Sequence, residues 1–157
     1  MPAAQPAGIF ICARVVRRGR QREGCYAYHN MTKLDFTKLD GLLPAVVQDA
    51  ATKRVLMVGF MNEAAWHKTL ESGNVTFYSR SRNKLWMKGE SSGHVLRVIE
   101  ISTDCDDDTL LIQVEALGPG VCHAGYQSCF YRTLKDGQWI ETEERTYDPN
   151  AVYGGTK

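Results

Sequence analysis

The amino-acid sequence predicts an α+β fold, a compact single domain of mostly antiparallel strands with one clear helix. Two observations carry this prediction. Short segments of strand length alternate apolar and polar residues between turn residues, and one segment has the signals of both a helix start and a helix end. The chain has 157 residues, of which 43% are hydrophobic and 24% are charged, which is enough for one domain with a buried core.

Two strands and the helix open the regular part of the sequence. The apolar segments LLPAVVQD (residues 42–49) and RVLMVGFM (54–61) predict a pair of strands joined by a polar turn. The segment NEAAWHKTLESG (62–73) then predicts a helix, because Asn62 suits the N-cap and Gly73 can adopt the left-handed conformation that ends a helix.

The rest of the regular part is predicted to be strand. Segments of strand character follow one another, separated by a basic loop, by the turn GESSGH and by the turn GPG. The predicted strands are residues 74–80, 84–88, 95–103, 109–117 and 129–134. A polar segment and an exposed tail follow, so the predicted domain is residues 31–145 and the predicted flexible tail is 146–157.

The first thirty residues differ from the rest in charge. They contain five arginines and one acidic residue, although the net charge of the whole chain is only +1. They lack the order of a secretory signal, so residues 1–30 are predicted to be a basic, disordered leader, with an organelle transit peptide as the alternative. The near-neutral chain is not expected to bind nucleic acid, and no apolar stretch is long enough to cross a membrane.

The sequence DCDDD places Asp104, Asp106 and Asp108 at alternating positions. In a strand these carboxylates point to one face and repel one another, so a positive group should lie among them. Oxygen ligands of this kind favour Mg²⁺. Since a straight strand spans about 13 Å between the first and the last aspartate, a single ion requires either a curled backbone or only two of the acids as ligands. A solvated acidic strand end is the alternative.

Three of the five cysteines lie close to acidic residues and a histidine. Because the chain has no export signal, they predict metal-binding or reactive thiols in a reducing cytoplasm and not a disulfide framework. Cys105, Cys122 and Cys129 would give zinc three ligands and leave one position open, as in catalytic zinc sites. The last two are about 10.5 Å apart along a straight helix, so the chain has to fold back at Gly125. Buried thiols that only pack as small hydrophobic groups are the alternative.

Several motifs, in this order and spacing, resemble one enzyme family. SRSRNKLWMKGESSGH, then DCDDD, then GPGVCHAGYQSCF resemble the phosphoribosyl-AMP cyclohydrolases, over residues 42–132. The resemblance implies a cyclic amidine hydrolase that depends on metal and acts in the third step of histidine biosynthesis. It implies that the enzyme opens the adenine ring of 1-(5-phosphoribosyl)-AMP at the N1–C6 bond and gives the formimino-carboxamide ribotide intermediate.

The same resemblance implies the metal ligands and the assembly. The implied ligands are Cys105, Cys122 and Cys129 for Zn²⁺ and Asp104, Asp106 and Asp108 for Mg²⁺. The zinc site is implied to be shared across a homodimer, in which one chain gives Cys105 and the other chain gives the remaining two thiols. One departure from the family pattern is His94, which stands where asparagine is expected.

Residues for proton transfer and substrate binding are predicted beside these ligands. His123 is the first candidate for the general base, because histidine changes its charge near neutral pH, and Glu90 is the second. The predicted substrate-binding residues are Arg80, Arg82, Lys84 and Lys88 for the two phosphate-bearing ends, and Trp86 for stacking on the base. The alternatives are a hydrogen-bonding role beside the metal for His123, a solvated basic loop, and a core position for the tryptophan.

Two other function classes are weighed against the hydrolase. A zinc-stabilised RNA-binding module, with SRSRNKLWMK as its contact, predicts a closed four-ligand zinc site and a basic net charge. A nucleoside deaminase predicts the pattern H-x-E followed by P-C-x-x-C, which the sequence lacks. The sequence therefore favours a hydrolase with a small nucleotide substrate and with neither a nucleic acid nor a membrane as partner.

Overall fold

The computed structural model describes residues 34–154 with their side chains, and residues 10–17 and 20–27 by their backbone alone. Strands β1 (Phe10–Arg17) and β2 (Arg20–Ala27) pair antiparallel. The prediction that residues 1–30 form a disordered leader stays a prediction, because apart from the backbone of these two strands it lies outside the described residues. The chain divides into two units, Met1–Leu34 and Asp35–Lys157.

The second unit carries the predicted α+β architecture. It contains a four-stranded sheet in the order β4-β3-β8-β7 and the hairpins β5-β6 and β9-β10. All of these strand pairs are antiparallel except β3 with β8, which confirms a mostly antiparallel fold. The elements are β3 (Leu43–Asp49), β4 (Val55–Met61), α1 (Glu63–Ser72), β5 (Thr76–Ser79), β6 (Lys84–Met87), β7 (Val95–Thr103), β8 (Leu110–Leu117), β9 (Arg132–Lys135), β10 (Gln138–Glu141) and α2 (Pro149–Tyr153).

The predicted helix is confirmed together with both of its caps. The side chain of Asn62 accepts a hydrogen bond of 2.9 Å from the backbone N–H of Ala65. Gly73 ends the helix in the left-handed conformation, at φ 68°, and its own N–H donates to the carbonyl of Thr69. Capping by these two residues satisfies backbone groups that the helix leaves open at its ends, which is why the sequence located the boundaries well.

Two elements near the C-terminal end were not predicted. Strand β10 pairs with β9 across Asp136 and Gly137, which have φ angles of 49° and 78°. An Asp-Gly pair with positive φ angles is the preferred two-residue hairpin turn, so the sequence did contain this signal. The short helix α2 begins after Asp148, whose side chain accepts a hydrogen bond from the N–H of Asn150. The strand predicted at residues 129–134 is observed as β9, which begins three residues later than predicted, at Arg132.

The core lies on one face of the four-stranded sheet. Alternate residues of β3 and β8 are fully or almost fully buried, as expected for strands with one face on the core. These core residues are Leu43, Ala45, Val47, Leu110, Ile112 and Val114. Helix α1 and hairpin β5-β6 pack beside the sheet, and the ring of Phe77 lies directly against the backbone of Gly59 in β4.

The loop after β8 is attached to the edge of this sheet. Strand β4 is an edge strand, and the backbone N–H of Cys129 donates to the carbonyl of Leu56 in β4 at 2.8 Å. The hydroxyl of Ser128 donates to the carbonyl of Val55 at 2.9 Å. These bonds fix the position of the second half of the thiol-bearing loop. None of the helices in the described part is long and apolar enough to span a membrane.

Candidate metal centre

The three aspartates lie in the connection between β7 and β8, which we name the acid loop (residues 104–109). One carboxylate oxygen of Asp104 accepts hydrogen bonds from the N–H groups of Asp108 and Thr109, each at 3.1 Å. Asp107 takes a left-handed conformation at φ 58°, so the backbone curls. As a result, oxygens of Asp104, Asp106 and Asp108 all lie within 4.8 Å of one another. Of the two sequence-based alternatives, the curled backbone is the one observed.

The side chain of Lys38, which no sequence motif indicated, contacts two carboxylates of the acid loop. The Nζ atom of Lys38 is hydrogen-bonded to Asp106 Oδ2 and lies 2.9 Å from Asp108 Oδ2. These hydrogen bonds raise the pKa of Lys38, that with Asp106 contributing most. The positive group that repulsion among the carboxylates requires is therefore supplied by the chain itself. Since Lys38 is 68 residues away from Asp106, no local sequence pattern indicated it.

The second candidate ligand group is a pair of thiols in the loop after β8. The N–H of Cys122 donates to the carbonyl of Tyr126 at 3.0 Å, and the N–H of Gly125 donates back to the carbonyl of Cys122 at 3.0 Å. Gly125 has φ 94°, and a Cβ atom there would lie 2.5 Å from the carbonyl oxygen of Tyr147. The chain thus folds back at this glycine and brings the side chains of Cys122 and Cys129 close enough to interact.

The two cysteines of this pair differ in exposure, Cys122 being buried and Cys129 exposed. Cys122 is only 3% exposed. Burial, reinforced by the neighbouring Cys122 thiol, raises the pKa of Cys129 to about 12. The pKa of Lys88 is lowered by burial, an effect that electrostatic interactions with Tyr153, Cys129 and Cys122 partly oppose. Zinc binds thiolates, so a metal ion at this pair would have to displace the thiol proton of Cys129.

Two aromatic contacts hold the neighbouring backbone. The hydroxyl of Tyr147 donates to the carbonyl of Cys122 at 2.5 Å. The ring of His94 meets the ring of Tyr147 edge to face, with centroids 4.7 Å apart, and its Nδ1 atom donates to the carbonyl of Gly120 at 3.0 Å. His94, which departs from the expected family pattern, therefore supports the GPG turn that leads into the thiol loop.

The domain boundary predicted at residue 145 stays a prediction.

The third cysteine lies elsewhere in the chain. Cys105 is exposed on the acid loop, with its sulfur 4.0 Å from an oxygen of Asp106. Among the described residues, the three aspartates are the only group of three potential ligands close enough to hold one ion. A single chain therefore brings together Cys122 and Cys129 but does not bring Cys105 to them.

The two candidates for proton transfer are both exposed. His123 follows directly after Cys122, at the start of the fold-back. Glu90 lies in the turn after β6, where its side chain accepts a hydrogen bond of 3.3 Å from the N–H of Met87. Both carboxylate and imidazole are thus open to solvent or to a bound molecule.

The predicted substrate-binding residues divide into an exposed group and a buried group. Arg80, Arg82 and Lys84 are exposed around the β5-β6 hairpin, and the guanidinium of Arg80 lies 3.9 Å from the centre of the Phe60 ring. Lys88 differs from them because it is 5% exposed and lies beside the thiols. Trp86 is half-buried, and its ring centre is 5.6 Å from that of Phe77, so it packs against the core.

A small cavity opens beside Cys129. It measures about 200 Å³ and is lined by Cys129, Phe130, Arg132 and Trp139. The two aromatic side chains are 56% and 66% exposed, respectively. No sequence motif predicted this cavity, because Trp139 reaches it only through the β9-β10 hairpin, for which the Asp-Gly turn is the one local signal. The cavity offers a thiol, a guanidinium and two aromatic surfaces.

The donor atoms present suit the two metals implied by the motifs. Three carboxylates within a few ångströms of one another match the preference of Mg²⁺ for oxygen ligands. Two neighbouring thiols match zinc, for which sulfur is a preferred ligand. Each ligand group would keep open positions, since neither fills a full coordination sphere from one chain.

Comparisons with known proteins give one consistent result. The profile of the family "Phosphoribosyl-AMP cyclohydrolase" matches residues 57–131. The phosphoribosyl-AMP cyclohydrolase of Solibacter usitatus is 65% identical over 122 residues, which are 78% of this chain and 97% of that protein. Those of Geobacter sulfurreducens and Desulforapulum autotrophicum are each 54% identical, again over 78% of this chain and over 98% and 99% of their own length. The chain therefore belongs to the phosphoribosyl-AMP cyclohydrolase family.

Proposed function

We propose that the chain is a metal-dependent cyclic amidine hydrolase of histidine biosynthesis, which opens the adenine ring of 1-(5-phosphoribosyl)-AMP at the N1–C6 bond. Membership of the family supports the activity, and one structural observation supports the site. Cys129 interacts with the buried Cys122 and lines a cavity, so a ligand bound at Cys129 would be open to a substrate. The predicted cytoplasmic location stays a prediction.

The zinc site is proposed to lie between two chains. Cys122 and Cys129 of one chain and Cys105 of a second chain complete a set of three thiolates, since no third thiol of the described residues joins the pair. Zinc in such a site lowers the pKa of a water molecule and so provides a nucleophile at neutral pH. Exposed apolar side chains near the pair, among them Phe130, Leu134 and Trp139, support a surface that a second copy of the chain covers.

The residues of the chain around this site have separate roles in the proposed reaction. His123 is adjacent to a zinc ligand and exposed, so it is placed to accept or return a proton, and Glu90 is the second candidate. Arg80 and its exposed basic neighbours Arg82 and Lys84 meet the phosphates of the substrate. Lys88, buried beside the thiols, offsets the negative charge that three thiolates place on a divalent ion.

The activity is tested by incubating the purified protein with phosphoribosyl-AMP and following the ring-opened product. The hydrolase proposal predicts turnover that a zinc chelator removes and added zinc restores, while circular dichroism shows that the chain stays folded. An RNA-binding module would instead unfold when zinc is removed, because structural zinc supplies folding free energy. Absence of ring opening in the zinc-loaded protein would contradict the proposed function.

Magnesium binding by the acid loop predicts a specific change in metal dependence. Asp106→Asn removes one carboxylate charge from the cluster, so the Mg²⁺ concentration for half-maximal turnover should rise by about tenfold or more. Asp107→Asn is the matched control, because its side chain is not part of the cluster and asparagine tolerates the left-handed backbone at this position. Equal magnesium dependence of the two variants would count against the acid loop as the magnesium site.

A further inference from the structure

We infer that Lys38 is a tethered cation that competes with Mg²⁺ for the acid loop and is displaced when the ion binds. The inference rests on the proposed magnesium role of the three aspartates. It concerns a residue that neither the motifs nor the family match includes, since that match begins at residue 57.

The turn that carries Lys38 is attached to the acid loop by its backbone. The N–H of Asp35 donates to the carbonyl of Asp107 at 2.7 Å. A carboxylate oxygen of Asp35 accepts hydrogen bonds from the N–H and the hydroxyl of Thr37, at 2.9 and 2.6 Å, and so shapes the turn just before the lysine. The ammonium of Lys38 is therefore presented to the loop by two ordered segments.

The ammonium uses the same oxygen atoms that a metal ion needs. Its contacts are Oδ2 of Asp106 and Oδ2 of Asp108. Mg²⁺ binds oxygen at about 2.1 Å with little tolerance in geometry, and an ammonium hydrogen-bonded between the same two oxygens lies in the space of the ion. Two cations at that distance also repel one another. Occupation by Mg²⁺ and the observed position of Lys38 are therefore mutually exclusive.

This competition has two consequences. Part of the attraction between Mg²⁺ and the carboxylates is offset by the loss of the lysine contacts. The three carboxylates therefore bind the ion more weakly than they would without Lys38. In the absence of the ion, Lys38 contacts two of the three carboxylates, offsets one of their negative charges and so reduces the repulsion that would open the curled loop. Occupancy by Mg²⁺ then frees the ammonium of Lys38 next to the metal.

The test uses the full-length protein, freed of Mg²⁺ but retaining its zinc, and two measurements. Lys38→Met should bind Mg²⁺ roughly three- to tenfold more tightly in isothermal titration calorimetry, since each exposed ion pair accounts for a factor of up to about five. Without Mg²⁺ this variant should melt at a lower temperature than the wild type, and added Mg²⁺ should raise its melting temperature by more.

Two further variants separate competition from other effects. Lys38→Arg keeps the charge and should bind Mg²⁺ almost as weakly as the wild type does. Lys68→Met removes a lysine that is paired with Glu71 at 2.8 Å on helix α1, and it should leave the Mg²⁺ affinity unchanged. Equal or weaker Mg²⁺ binding by Lys38→Met overturns the inference, and so does a wild-type chain that binds no Mg²⁺. Neither result bears on ring opening, which the turnover assay measures separately.

Discussion

Cys122→Ser is expected to lower turnover more than about 100-fold while the protein remains folded. This factor is expected because replacing residues that only orient zinc ligands already lowers metal affinity or activity about 10- to 100-fold. The Cys122→Ser change removes a ligand itself. The fold should survive, since serine is close in size and the loop is held by backbone bonds from Cys122 and Cys129. Burying a hydroxyl in place of a thiol is expected to cost about 1–3 kcal/mol of unfolding free energy.

The measurement combines ring-opening kinetics, bound zinc per chain and denaturant unfolding. Cys25→Ser is the control, because it makes the same chemical change at a cysteine that is not a proposed zinc ligand, and it should leave turnover and zinc content unchanged. Wild-type turnover in the Cys122→Ser variant would refute a zinc role for this thiol. Loss of turnover with full zinc content would point to a structural metal.

A mixture of Cys105→Ser chains and Cys122→Ser chains is expected to regain activity that neither variant has alone. In the shared-site arrangement, a mixed dimer has one site with both altered residues and one site with neither. Random exchange places half of the chains in mixed dimers, so the recovered turnover should approach roughly one quarter of the wild-type value. The structure motivates this experiment because Cys105 does not reach the thiol pair of its own chain.

The control for this mixture uses two variants of the same thiol pair. Mixed dimers of Cys122→Ser and Cys129→Ser contain no site with all three thiols, and they should show no recovery after equal treatment. Subunit exchange is verified independently by mixing chains that carry different fluorescent labels. Exchange without recovery in the Cys105→Ser and Cys122→Ser mixture would contradict sharing between chains.

The predictable part of the fold is the part governed by local patterns. Helix α1 was located to within one residue at each end because Asn62 and Gly73 are caps whose effect depends on the nearest backbone only. Strands β7 and β8 followed from alternation along a sheet with one buried face. Strand β10 was missed although its Asp-Gly turn is a local signal, because the short hairpin is exposed and has no apolar alternation to mark it.

The arrangement of the candidate site could be predicted from the sequence only in part. The fold-back at Gly125 followed from the reach of two thiols and is observed. The position of Lys38 depends on a tertiary contact across 68 residues, which no motif reports. Lys88 looked like one more member of a basic loop, yet it is buried beside the thiols, because the side-chain direction after β6 is set by packing.

The central claim is that three sulfurs from two chains bind one zinc ion and leave a fourth position open. X-ray absorption at the zinc edge of the purified, zinc-loaded dimer tests it most directly. The account predicts three sulfur neighbours at about 2.3 Å and one lighter atom, with the number of sulfurs falling to two in Cys105→Ser. Four sulfurs, or an unchanged sulfur count in that variant, would contradict it.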